Sequence, residues 1–151
     1  MAREILFRGK RKDDKGWVTG DLRHGGYYNG DREICIMSLN SSIIINHPVY
    51  PETVGQFTGL NDKNGKKVFD GDILSTENGT FSNTGMGYIL FYKGMWTSFY
   101  GQDGIGRDCF DELHTVCNSR EVIGNIHDNP ELLEGEFFTE EEVGNRSRME
   151  E

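Results

Sequence analysis

Short apolar runs, broken by glycine and polar clusters, set the rhythm of this chain. Arg3-Glu4-Ile5-Leu6-Phe7-Arg8 alternates so that Ile5 and Phe7 share one face of a strand. Asp13-Asp14-Lys15-Gly16 reads as a turn, since Gly16 takes positive φ at little cost. Trp17-Val18-Thr19 resumes the strand and predicts a hairpin. Gly25, Gly26, Asn29 and Gly30 predict a flexible loop holding Tyr27 and Tyr28. Ile34-Cys35-Ile36-Met37 and Ile43-Ile44-Ile45 are β-branched runs separated by Leu39-Asn40-Ser41-Ser42, and they predict a second hairpin, well buried.

From Tyr50 the signals sharpen. Pro51-Glu52-Thr53 predicts one helical turn, because proline suits a first helical position and an acid suits the dipole. Val54-Gly55-Gln56-Phe57-Thr58 predicts a strand. Asn61-Asp62-Lys63-Asn64-Gly65 is the strongest turn signal, and Lys66-Lys67-Val68-Phe69 returns from it. Asp70-Gly71-Asp72 then introduces the strand Ile73-Leu74-Ser75-Thr76. Tyr88 to Tyr92, a turn at Lys93-Gly94, and Met95 to Tyr100 predict an aromatic hairpin. Glu121 to Ile126 predicts the last strand. Asn129 then caps a short helix over Pro130-Glu131-Leu132-Leu133, near residues 130–134. The Glu140-Glu141-Glu142 run beyond Gly135 predicts a frayed acidic tail.

A weak internal repeat runs through these segments. Phe7-x-Gly9, a turn ending at Gly16 and Gly20-Asp21-Leu22 parallel Phe57-x-Gly59, a turn ending at Gly65 and Gly71-Asp72-Ile73. Each copy would feed a Gly-Asp corner into a following strand, as two related barrel halves would.

Composition supports a turn-rich β protein. With 151 residues the chain suits one core, or two closely fused small β units. Its 20 Gly against 3 Pro make glycine the punctuation, and 9 Phe, 6 Tyr and 2 Trp supply bulky core side chains. No apolar stretch reaches the roughly 18 residues that span a bilayer, and the N-terminal region lacks a signal-peptide apolar segment. Cys35, Cys109 and Cys117 form an odd set without a CxxC pair, which fits free thiols in a cytoplasmic protein. A Cys109–Cys117 cross-link stays open on spacing alone.

Charge is uneven. Residues 1–23 carry seven Lys/Arg against four Asp/Glu, while residues 128–151 carry two against nine. The whole chain stands at −9, which repels nucleic acid at long range. Only the basic N-terminal hairpin, with Lys10, Arg11 and Lys12, offers a local phosphate contact, and a solvated hairpin tip accounts for it as well.

Four blocks carry a resemblance. They are Arg3 to Lys10 with Trp17-Val18 and Gly20-Asp21-Leu22; Val54-Gly55-Gln56-Phe57-Thr58-Gly59-Leu60; Asp62-Lys63-Asn64-Gly65 through Phe69-Asp70-Gly71-Asp72-Ile73; and Val122-Ile123-Gly124-Asn125-Ile126-His127-Asp128-Asn129-Pro130-Glu131-Leu132-Leu133. In these residues and their order the chain resembles the YopX family, found mainly in bacterial phages and prophages. The resemblance implies a mostly-β domain over residues 1–134 with barrel-type sheets, followed by an acidic tail over residues 135–151. Gly71-Asp72-Ile73 also resembles the start of a strand in SH3-like barrels. The family brings no established catalytic residues, so no catalytic or cofactor-binding position is carried over. Residues 77–119 match no block, which leaves a binding site there open.

Candidate chemistry outside those blocks is thin. Cys109, His114, Cys117 and His127 are zinc-ligand types, but their C-x4-H-x2-C-x9-H spacing lacks a close pair that would preorganise a site. Asp103, Asp108, Asp111 and Glu112 lack the alternation of a calcium loop. A Cys109–His114 nucleophile pair has no orienting third group. Gly104-Ile105-Gly106 lacks the Lys-Ser/Thr of a phosphate loop. Asp70 and Asp72 flank a turn glycine, where aspartate bonds local backbone. No metal and no cofactor is expected. Tyr88, Phe91, Tyr92, Trp96, Phe99 and Tyr100 read as core or as a subunit interface. The expected function is a phage or prophage accessory protein that binds an unidentified protein partner without catalysis, with possible self-association through the aromatic hairpin and no membrane partner. A nucleic-acid binder using the N-terminal hairpin and a metal or thiol enzyme around Cys109–His127 are the alternatives.

Overall fold

A computed structural model describes residues 2–28, 31–75, 86–102 and 105–133. The fold is mostly β, in two antiparallel sheets. In chain order the strands are β1 (Phe7–Lys10), β2 (Trp17–Tyr28), β3 (Asp31–Asn40), β4 (Ile43–Pro48), β5 (Gly55–Asn61), β6 (Lys67–Phe69), β7 (Asp72–Ser75), β8 (Met86–Tyr92), β9 (Met95–Gln102), β10 (Asp108–Glu112) and β11 (Val122–Asn125). The helical parts are the α1 turn (Leu113–Val116) and 3-10 turns at Pro51–Thr53, Cys117–Ser119 and Pro130–Leu133. The residues group into two compact units, Met1–Gly59 and Leu60–Glu151, with the boundary inside β5.

The first sheet has the order β4-β3-β2-β1-β5-β6. Its first four strands form a meander of successive hairpins, and β1 also pairs with β5, Phe7 opposite Gln56. Val49, Cys35, Ile36 and Phe57 are buried in this unit. Past Pro48 the chain swings toward β1. Arg11 and Val49 form a single bridge, Lys12 N–H donates to the Pro48 carbonyl at 3.0 Å, and Tyr50 N–H donates to the Lys10 carbonyl at 2.9 Å. The barrel-type closure expected from the sequence is therefore reduced to one bridge, and both strand orders stay open among the described residues.

The second sheet has the order β10-β9-β8-β7-β11. Alternation along β8 sends Tyr88 and Leu90 into a cluster with Ile73, Phe99, Tyr100 and Leu133. Ile89 goes the other way, into a cluster with Val68, Leu74, Leu113, Cys117 and Val122. The sheet is thus apolar on both faces, as the unbroken apolar run of β8 predicts.

Several sequence expectations need correction. The predicted loop around Gly25 and Gly26 is instead the end of β2, which runs to Tyr28 with a register shift between Arg23 and Gly26. Asn29 and Gly30 lie outside the described residues, as do Thr76, Asp103, Gly104 and the acidic tail. The first predicted strand begins at Phe7, and Ile5 is exposed. The internal repeat fails at its corners. Gly20 sits inside β2, where a side chain would run into the Met37 carbonyl, whereas Gly71 makes a true turn at φ 85°. The strand β10 and the turns that follow it carried no sequence signal that marked them.

Candidate interaction surface

The β3–β4 hairpin is joined by a two-residue loop, Ser41-Ser42, with φ of 48° and 73°. Positive φ at both positions makes a type I′ turn, whose twist matches the flanking strands. Asn40 and Ile43 close that turn, and Leu39 faces Ile44 across the ladder. At the base of the hairpin Cys35 and Ile36 are buried. At its tip the same β-branched composition faces solvent: Leu39 is 72%, Ile43 65% and Ile44 63% exposed. The expectation of a well-buried hairpin holds only for the base. Strand propensity reports a pleated backbone, and cannot tell a covered strand from one that projects.

β4 is also the end strand of its sheet. The pair that closes a two-residue turn exchanges both main-chain bonds, so Ile43, Ile45 and His47 turn their backbone groups to β3. Val49 N–H bonds the Ile34 carbonyl at 3.2 Å, in keeping with that parity. Ile44 and Asn46 consequently turn their N–H and C=O groups to the open edge. No charge protects this edge, for residues 34–51 contain no Asp, Glu, Lys or Arg in a chain that is 27% charged. His47 bonds Ser38 Oγ through Nε2 at 2.8 Å. Burial, assisted by the Arg11 charge, lowers its pKa below 6.5 and keeps the hairpin neutral.

The sequence-predicted chemical groups are placed elsewhere. Cys117 is buried in one apolar cluster of the second sheet, Cys109 packs against the other, and His114 is exposed beside Glu112 at 3.4 Å. All three cysteines are free thiols. Burial raises the pKa of Cys35 and of Cys117, so neither is an activated thiolate. His127 packs near Gly71. Among the described residues no group of three or more His, Cys, Asp or Glu is arranged to hold a metal ion. Of the candidate calcium ligands, Asp108 accepts from Tyr92 OH at 3.1 Å and Asp111 pairs with Arg120 at 2.9 Å.

The buried carboxylates serve the backbone. Asp62 Oδ1 accepts the N–H groups of Asn64 and Lys66 at 2.8 and 2.9 Å, and its Oδ2 accepts Val122 N–H. Asp72 Oδ2 accepts Phe69 N–H at 2.7 Å. Such saturation leaves little room for acid–base work, and Asp72 follows the local bonding expected beside Gly71. In the basic hairpin, Arg11 is paired with Asp13, and Lys12 lies 3.4 Å from Glu33. These cations are compensated within the protein. The aromatic hairpin, for its part, buries Tyr88, Phe99 and Tyr100 in the core, with Tyr88 and Phe99 edge-to-face at 5.5 Å. Phe91 and Met95 stay exposed at its turn.

Sequence reasoning missed the hairpin tip. The available signal was the long uncharged stretch over residues 34–51, which stands out against its acidic surroundings. No helix among the described residues is long and apolar enough to cross a membrane.

A family model described as YopX protein matches residues 6–134. No curated protein matches the chain. Among solved structures, the chain is similar to the crystal structure of protein EF1440 from Enterococcus faecalis. The two share 21% identity over 88% of this chain and 100% of that one, with a TM-score of 0.41.

Proposed function

Because the chain belongs to the YopX protein family, we propose that it is a phage- or prophage-derived accessory protein, cytoplasmic and non-catalytic, that works by binding a protein partner. The observation that carries this reading is the exposed, uncharged tip formed by Leu39, Ile43 and Ile44. Exposed apolar residues gathered on one element, rather than scattered singly, mark interaction sites. A main-chain edge beside them adds a second means of recognition, by strand addition. The single Arg11–Val49 bridge supports reading the first unit as an SH3-like, barrel-type module with incomplete closure.

The test is capture from prophage-induced cells with the wild-type chain and with a Leu39→Ser/Ile43→Ser/Ile44→Ser variant. A stoichiometric protein retained by the first and lost by the second is expected. Identical capture by both would remove the hairpin tip as the binding surface.

A further inference from the structure

We propose that β4 is the contact strand of a two-fold homodimer, in which two copies of this chain pair their β4 edges antiparallel about Ile45. The proposal rests on reading the hairpin as a binding surface, and names its occupant.

Main-chain geometry supplies the register. Ile44 and Asn46 are the positions whose backbone groups face the open edge, as the closing pair Asn40–Ile43 dictates. With the axis at Ile45, Ile44 of each copy stands opposite Asn46 of the other. Each of these pairs then exchanges both of its main-chain bonds. An axis at Ile44 would leave Asn46 facing Ser42 of the turn, and an axis at Asn46 would set Ile44 against Pro48, which has no N–H to give. Past Asn46 the edge is already used, because the Pro48 carbonyl takes Lys12 N–H and Val49 bridges Arg11.

Side chains fit the same axis. Ile45 meets its own copy, and the exposed Ile43 comes beside His47 of the other chain on that face. On the opposite face Ile44, whose neighbour on the β3 side is Leu39, gains Asn46 of the other copy as its neighbour across the new edge. Cross-strand contacts between β-branched residues are favourable units of sheet pairing. The Ile43-Ile44-Ile45 triplet makes the edge complementary to itself, which an isologous contact requires.

Charge selects a second copy over other occupants. Two chains of net charge −9 repel over most of their surfaces. Residues 34–51 bring no like charges together, and His47, held neutral, adds none. Within residues 34–51 an acidic or basic partner finds no charged side chain to pair with, and Arg11 and Lys12, at the Pro48 end of the strand, are already met by Asp13 and Glu33. β4 also carries no lysine, and its one proline, Pro48, lies past Asn46 where the edge is already bonded to Lys12, so the usual devices that keep an edge single are missing from Ile43 to Asn46.

Sedimentation of the full chain from about 1 to about 200 µM tests the idea. The wild type is expected to rise from its 17.2 kDa monomer mass toward twice that value. Ile44→Lys introduces charge beside the axis, and Asn46→Pro removes an outward N–H without touching the bonds to β3. Each is expected to weaken the dimer at least about tenfold with an unchanged circular dichroism spectrum. A wild type that stays monomeric throughout, or a dimer indifferent to both substitutions, overturns the proposal. A monomer whose captured partner is still lost in the triple-serine variant overturns the dimer alone. A dimer sensitive to both substitutions, with capture indifferent to the triple-serine change, upholds the dimer and removes the foreign-partner reading.

Discussion

Asp62 Oδ2 accepts the backbone N–H of Val122 at 3.0 Å, joining two residues sixty positions apart. The same carboxylate holds Asn64 and Lys66, so one side chain closes the β5–β6 turn and anchors the start of β11. Asp62→Asn replaces an acceptor oxygen with a donor and sets it against an N–H. A loss of about 2 kcal/mol in urea unfolding is expected. Burial opposes the charge on Asp62, but the N–H groups of Val122, Lys66 and Asn64 outweigh it and lower its pKa below 3.8. Its contribution is therefore present above 3.8 and lost as pH falls through the folded value. Wild type should lose more stability than Asp62→Asn on acidification through that range.

Gly65 adopts φ 80° and has open space where a side chain would go. Gly65→Val should cost at least about 1 kcal/mol through backbone strain alone, read as a lowered melting temperature. An unchanged melting temperature would mean that the turn relaxes at no cost.

The opposite sign is expected at the other turn. Ser41 and Ser42 both sit at positive φ without the residues that favour it. Ser41→Asn combined with Ser42→Gly supplies the preferred type I′ pair, and should raise stability by about 1 kcal/mol in thermal unfolding.

His47 sets a separate pH window. Burial and Arg11 lower its pKa in the folded chain, with Asp13 opposing in part. The unfolded chain takes up the proton first, so stability is complete above 6.5 and declines as pH falls toward the folded value. Melting temperatures between about pH 7.5 and about pH 5 should fall less steeply in His47→Gln.

Specific DNA binding should be weak or absent. The chain is acidic overall, and Arg11 and Lys12 are already met by Asp13 and Glu33. A gel shift giving affinity tighter than about 1 µM at about 150 mM salt would contradict this. In that event Lys10, Arg11 and Lys12 are the residues to substitute first.

Turn chemistry was the most legible part of the sequence. Asn64-Gly65, Lys93-Gly94 and Pro51-Glu52-Thr53 lie where local conformational preference places them, because a turn depends on its own few residues. Burial was less legible, since it depends on what the rest of the fold places beside a strand. Ile43 and Ile44 read as core and stand in solvent, while Gly25 and Gly26 read as loop and lie in β2. Glycine weakens a strand locally, yet the ladder to β3 resumes at Gly26 beyond the register shift and carries β2 on to Tyr28. The clamp made by Asp62 was invisible, for nothing near residue 62 announces a partner near residue 122.

That clamp, and the pairing of Val122 with Leu74 in β11 and β7, also govern when the second unit can assemble during synthesis. Sequence-adjacent pairs such as β8–β9 and β7–β8 can form as soon as both arms emerge, whereas the other edge of β7 waits for a strand made long after it. A nascent chain stopped before Val122 presents β7 with an uncovered edge and Asp62 without its distant donor. Premature termination in this region therefore yields a sticky, incompletely paired product, rather than a shorter working protein.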